Sequence, residues 1–301
     1  MIKDKIQPDM VQEYVLDSNC KVISKDLNNI KSSETEIAPD LWYRVGEIDG
    51  LRIELGTRNL YSKGYKPSIS MNKENLLVEV HESSNPVSHS IYYKVGILIG
   101  TSIEWGDDIK YGKGLLPKVS ININGDVVEV HQSEKSDVLF SRVGKIDSDN
   151  KQIIWGIEKA IDHGVTPSVG ITNHGMTIVV FKSASCNKLY YRVGQITELS
   201  IKWGANHKYQ DGLMPQITLC NDRKVILMHE AENLPGIWRL TGYLNEKNII
   251  LVSSTDFDSE SNLRMEMTTD GHTAIYVYES QLHMLHHSNI CIFRNLYELM
   301  M

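Results

Sequence analysis

Three short runs place a histidine where it could do chemistry. Residues 78–83 read VEVHES, 128–133 read VEVHQS and 227–231 read LMHEA. Glu79 and Glu129 precede His81 and His131 by two positions, so in a strand they share a face with the imidazole; Leu227 stands in that place before His229. A carboxylate beside an imidazole fixes its tautomer and favours its protonated form. Arg44, Lys94, Arg142 and Arg192 recur in a second kind of segment and could pair with those carboxylates. Two readings are open: a buried network repeated once per unit, or equivalent polar pockets that bind hydroxyl groups directionally.

The aromatic residues have the same double character. Trp105, Trp155 and Trp203 are each followed by glycine. A large ring beside a glycine can seal one sheet against the next, or it can offer a stacking platform for the apolar face of a pyranose. Tyr61, Tyr111 and Tyr209 stand just before a glycine–proline loop, a kind of place where specificity commonly resides. His283, His286 and His287 lack a carboxylate–histidine spacing suited to a metal, and no calcium loop is present. No metal or cofactor is expected.

These residues are positioned by a repeat. LWYRVG (41–46), IYYKVG (91–96), VLFSRVG (138–144), LYYRVG (189–194) and a weaker IWRLTG (237–242) place glycines at 46, 96, 144, 194 and 242, in steps of 50, 48, 50 and 48 residues. Trp-Gly recurs at 105–106, 155–156 and 203–204, with Leu55-Gly56 in the first copy. The proline-to-histidine distance is 14 residues from Pro67, Pro117 and Pro215, and Phe181 takes the histidine's place after Pro167. Several columns holding register together define a repeat architecture.

Each unit reads as four short strands: the WYRVG segment, the Ile-x-Trp-Gly segment, the strand after the proline and the VVEVH segment. Asn124-Gly125 and His174-Gly175 mark tight hairpin turns. Four strands per unit, repeated about an axis, predicts an all-β protein, a β-propeller of four-stranded blades. The repeats are 41–90, 91–137, 138–188, 189–236 and 237–284 within one domain of 1–301. Two strands from 1–40 and two from 285–301 would complete a sixth, composite blade and remove exposed edges. Cys20 and Cys291 would then come near each other. The stretch 255–270 has lost both Trp-Gly and proline.

Composition narrows the function. The chain has 301 residues, 41% hydrophobic and 23% charged, with a net charge of −7. No basic run exists to displace counterions from phosphates, which argues against nucleic acid. No long apolar run suggests membrane insertion, and no signal segment follows the first lysines. The expected location is the cytoplasm, or outside the cell by a route without a cleaved signal. A homo-oligomer is compatible with these features.

The YYRVG, IxWG, GxxPxV and VVEVHES strings resemble the repeats of bacterial and invertebrate propeller lectins of the tectonin and fucose-binding kinds, over about residues 41–280. The resemblance implies a multivalent, non-catalytic glycan-binding protein with sites between adjacent blades, whose weak sites add through avidity. It would assign the aromatic role to Trp105, Trp155 and Trp203 and the polar role to His81, His131, His229, Glu79 and Glu129. Arg142, Arg192, Tyr111 and Tyr209 complete the candidate ligand-binding set. A protein-interaction scaffold is the alternative. A propeller hydrolase is less favoured, because no unique acid–base pair stands out from the repeat; the expectation is that the chain is not an enzyme.

Overall fold

A computed structural model describes the chain from 52 to 220, 223 to 233 and 236 to 258, together with strands at 5–6, 13–16, 21–27, 40–49, 260–267, 273–280 and 287–294. Side chains are described for 40–47, 54–220, 223–233 and 236–255. Cys20, His283 and His286 and the side chains of Cys291 and His287 lie outside the described residues.

The N-terminal part supplies β1 (Lys5–Ile6), β2 (Glu13–Leu16), β3 (Lys21–Leu27), β4 (Asp40–Asp49) and β5 (Arg52–Leu55). Next come β6 (Asn59–Met71), β7 (Leu76–Ser83), β8 (Ser90–Ile99), β9 (Ser102–Trp105) and β10 (Ile109–Lys113). A third group holds β11 (Leu115–Ile121), β12 (Asp126–Gln132), β13 (Val138–Asp147), β14 (Gln152–Trp155) and β15 (Lys159–His163). A fourth has β16 (Val165–Ile171), β17 (Met176–Lys182), β18 (Lys188–Thr197) and β19 (Ser200–Asp211). A fifth has β20 (Leu213–Leu219), β21 (Lys224–Glu230), β22 (Gly236–Leu244) and β23 (Ile249–Asp258). The last described strands are β24 (Glu260–Met267), β25 (Thr273–Ser280) and β26 (His287–Arg294).

All strand pairs are antiparallel, and the sheets run in simple meander order, as in β16-β17-β18-β19 and β20-β21-β22-β23. The four sheets that carry the repeat proline begin at the proline strand (β6, β11, β16 and β20), not at the WYRVG segment, so the sequence period and the hydrogen-bonded sheet are offset. The reason is steric. The proline strands, and β2 and β24 in the corresponding places, are the ones that touch from sheet to sheet: β2 meets β6, β6 meets β11, β11 meets β16, β16 meets β20, β20 meets β24, and β24 meets β2 again. Small residues such as Ser68, Ser70, Ser168 and Gly170 fit that crowded centre. Ser68, Ser70 and Ser168 also accept bonds from the amides of Val119, Ile121 and Ile217 on the next inner strand (3.2–3.3 Å), satisfying donors that an inner edge would leave open.

The fold is therefore an all-β propeller. β6 serves two sheets, pairing first with β4 and then with β7. The last sheet has the order β1-β26-β25-β24, three strands from the C-terminal part and one from the N-terminal part. Two from each had been expected; β2 and β3 pair instead with β4.

Between sheets the core is apolar and continuous. Met176, Ile178, Val180, Tyr191 and Val193 of the fourth sheet meet Ile217, Val225 and Leu227 of the fifth. The predicted turns hold: Gly125 and Gly175 both have φ of 75°, a conformation glycine reaches at little cost. Among the described residues no helix is long and apolar enough to cross a membrane.

Candidate functional site at the seams between sheets

The predicted polar residues meet in two closely similar clusters. In the second sheet, His81 Nδ1 lies 2.9 Å from Glu79 Oε2, and Tyr61 of the preceding unit donates to Glu79 Oε1 at 3.1 Å. His81 Nε2 faces Asp108 at 3.5 Å, and Lys94 stands 4.0 Å from the same carboxylate. In the third sheet His131 Nδ1 lies 3.1 Å from both oxygens of Glu129. His131 Nε2 faces Glu158 at 3.2 Å, and Arg142 Nη2 donates to Glu158 at 3.2 Å. Arg142 Nη1 also donates to the Tyr111 carbonyl at 2.7 Å, with its guanidinium over the Tyr111 ring.

Strand alternation explains the pairing. Glu79 and His81 on β7, or Glu129 and His131 on β12, point the same way, and the register sets Glu79 opposite Lys94 and Glu129 opposite Arg142. Asp108 and Glu158 lie three residues beyond the tryptophans, in the irregular step between the two parts of the outer strand. That pair of carboxylates belongs to no conspicuous motif. The equivalent spacing after Trp-Gly was the signal that could have found it.

Burial divides the clusters into an inner and an outer carboxylate. Glu79 and Glu129 are fully buried. Asp108 and Glu158 keep 34% and 29% of their side chains exposed, so only they can meet a ligand. Burial would push the His131 pKa down, but Glu129 and Glu158 outweigh it and raise the value to about 9. His131 in turn holds the Glu158 carboxyl below its ordinary range, with Arg142 adding to the effect. Burial and the Glu129 charge push the Tyr111 hydroxyl well up.

Glu82 behaves oppositely. Desolvation raises its pKa, although the Leu116 amide donates to its Oε1 at 2.7 Å and Lys66 and His89 stand near. Leu116 has a φ of 53°, a left-handed conformation for a branched residue that aims this amide across the seam. Lys66, Thr166 and Met214 repeat that conformation before their own prolines.

The three tryptophans are half-buried at the seams. Trp105 stacks on Tyr61 at 5.4 Å and Trp155 on Tyr111 at 5.2 Å. Trp203 donates to Ser141 Oγ at 3.2 Å. Beside Trp105 a Cβ on Gly96 would come within 2.7 Å of the indole, so the glycine makes room for the ring.

The fourth and fifth sheets depart from this pattern. Ile161, Val179 and Phe181 together replace the tyrosine, glutamate and histidine, and they pack in one apolar cluster. Arg192 is turned to the carbonyls of Gly204 and Ile161 and lies 3.5 Å from Asp162. At the seam of the fourth and fifth sheets Tyr209 of β19 and His229 of β21 remain, their rings edge to face at 6.2 Å. Leu227 stands where Glu129 would be, opposite Leu240 in place of Arg142. His229 is wholly buried, and burial pushes its pKa down to about 4.

No family model and no curated protein matches the sequence. Solved structures do. The α-L-arabinanase of Penicillium chrysogenum, complexed with arabinobiose, superposes with a TM-score of 0.58 at 12% identity, covering 97% of this chain and 95% of that one. The GH93 α-L-arabinofuranosidase of Fusarium graminearum, with arabinobiose, gives 0.58 at 11% identity over 99% and 98% of the two chains. The Trypanosoma rangeli sialidase gives 0.66 at 11% identity, covering 97% of this chain and 56% of that one.

The shared feature is the propeller fold. These neighbours overturn the resemblance to tectonin-like and fucose-binding lectin repeats, the expectation of a multivalent lectin, and the expectation of a protein without catalysis. The physical reason lies in the residues that carried the resemblance. Gly96 beside Trp105, the proline strands and the hairpin glycines meet packing demands of the blade, whatever the protein does. As the sequence departures at Val179, Phe181 and Leu227 implied, the seams are unlike one another.

Proposed function

We propose that the chain is a carbohydrate-active propeller of hydrolytic type, with its reacting groups at the seam between the second and third sheets. The observation that carries this reading is a carboxyl group on each side of the seam: Glu82 of the second sheet takes the Leu116 amide of the third, and Glu158 of the third is held by His131 and Arg142. The Glu82 pKa is raised by burial, and that of Glu158 is lowered by His131 and Arg142. Such divergence separates an acid from a base or nucleophile. Glu158 is ionised and can take a proton from water or attack an anomeric carbon. Glu82 holds its proton to higher pH and can give it to the departing sugar oxygen.

Glu129, Tyr111 and His131 act behind Glu158: the buried carboxylate keeps the imidazole charged, and the imidazolium keeps Glu158 ionised. Trp155 and Tyr111 wall the same seam. The neighbours named for arabinobiose and for sialidase support a glycan as the partner in general. Among the other candidates, Trp105, Glu79 and His81 form the companion seam with Asp108, and Arg192, Trp203, Tyr209 and His229 serve blade packing.

The test is turnover of a panel of aryl glycosides that includes arabinofuranosides and sialosides. The expected result is hydrolysis of at least one. Glu158→Gln lowers its kcat by about 10²–10⁴-fold, as does Glu82→Gln, the latter with loss of the alkaline limb of the pH profile. Absence of turnover across the panel by folded protein, or unchanged kcat in both variants, overturns the reading.

A further inference from the structure

The seams are chemically of two kinds. At the seam of the second and third sheets, His131 lies between two carboxylates, with Tyr111 of the neighbouring sheet against Glu129. At the seam of the fourth and fifth sheets, the same column holds His229 with both carboxylates gone. Leu227 occupies the inner position and Ser254 the outer one, and Leu240 takes the place of the arginine.

The side chains described around His229 are neutral; Asp256 on β23, which the register sets opposite Trp238, has its side chain outside the described residues. Tyr209 comes from β19, Gly212 lies just before β20 where an added Cβ would meet the ring, Leu227 shares β21, and Trp238 stands opposite on β22. Ser254 on β23 is also neutral. Neither ring nitrogen meets a protein hydrogen-bond partner among the described residues.

We infer that the seam between the fourth and fifth sheets is an acid-sensitive latch, which stays shut while His229 is neutral and opens ahead of the rest of the ring when that histidine must take a proton. Charging a buried imidazole with no carboxylate beside it is unfavourable, whereas opening the seam lets water solvate it.

The sign follows from the two states. Shut, His229 has a pKa of about 4; open, it returns to its ordinary value of 6.5. Between those values the open form holds more protons, so the opening constant rises by up to about tenfold for each pH unit of acidification. The seam of His131 runs the other way. Its imidazole is raised from 6.5 to about 9 when shut, so that contribution is complete below pH 6.5 and fades as pH rises toward 9.

Hydrogen exchange of the full chain, corrected for intrinsic rates, reads both seams in one experiment. From pH 6.5 down to pH 4.5, amides of β20 and β21 should lose protection by about 40-fold in all, while those of β11 and β12 hold theirs. His229→Phe, which copies Phe181 of the fourth sheet, should remove the acid sensitivity. Leu227→Glu, which restores the inner carboxylate, should raise the His229 pKa in the shut state and so weaken or abolish the acid response. In the unaltered protein the His229 ring proton should show an NMR titration midpoint below pH 5. Parallel loss of protection at both seams, an unchanged acid response in His229→Phe, or a His229 midpoint near 6.5 overturns the latch.

Discussion

A buried carboxylate is costly unless its bonds are complete, and Glu129 shows how completion is achieved. His131 donates to it, Tyr111 lies against it, and Arg142 stands opposite on the adjacent strand. Removing one partner of such a group strands the others in a medium that solvates them poorly. Glu129→Gln should therefore destabilise the fold by about 3–5 kcal/mol, read from chemical denaturation. It should also bring the His131 pKa down from about 9, visible by NMR. If stability is unchanged, the buried network is not holding the seam.

At the scale of the strand, close approach governs. Gly96 on β8 lies under Trp105 of β9, and a Cβ there would meet Trp105 at 2.7 Å and Ile103 at 2.8 Å. Gly96→Ala should cost about 1–3 kcal/mol through forced movement of the indole, measured as a lower denaturant midpoint with an unchanged slope. Gly125 is a different case. Its Cβ would find space, with Ile146 at 3.7 Å, but its φ of 75° is left-handed. Gly125→Ala should cost about 1–2 kcal/mol from backbone strain alone. The contrast separates the steric demand on a strand glycine from the conformational demand on a hairpin glycine.

At the scale of the whole ring, substitutions should couple across a seam. Ile161 belongs to the third sheet, while Val179 and Phe181 belong to the fourth, yet they form one apolar contact set. Val179→Glu alone buries a carboxylate whose one opposite cation, Arg192, is turned to the Gly204 and Ile161 carbonyls, and should destabilise strongly, by about 3 kcal/mol or more. Adding Ile161→Tyr and Phe181→His supplies the partners seen around Glu129 and should recover part of that loss. A triple variant no more stable than the additive expectation would show the seam to be indifferent to this chemistry.

How much of this could be read in advance depends on what each residue reports. The repeat columns made the propeller legible, because each four-stranded sheet needs its neighbours and repeats their packing residues. The glutamate–histidine pairs were legible too, since two-residue spacing on a strand fixes a common face. Asp108 was legible only as a polar residue of a variable loop, and Glu158 not at all, since the irregular step after Trp-Gly hides the direction in which these side chains point. Glu82 looked like an ordinary neighbour of His81. Its displaced pKa arises from burial and from the Leu116 amide, which is contributed by the next sheet.

Local alternation and period belong to the sequence itself: which residues share a strand face, where hairpins turn, and that the units are alike enough to pack around an axis. Tertiary contacts decided the rest. They set which strand is innermost, which carboxylate reaches water, and which histidine is charged, because each depends on side chains brought from a neighbouring sheet. Charge and burial are properties of a surrounding volume, and a linear pattern specifies that volume only after the ring has formed.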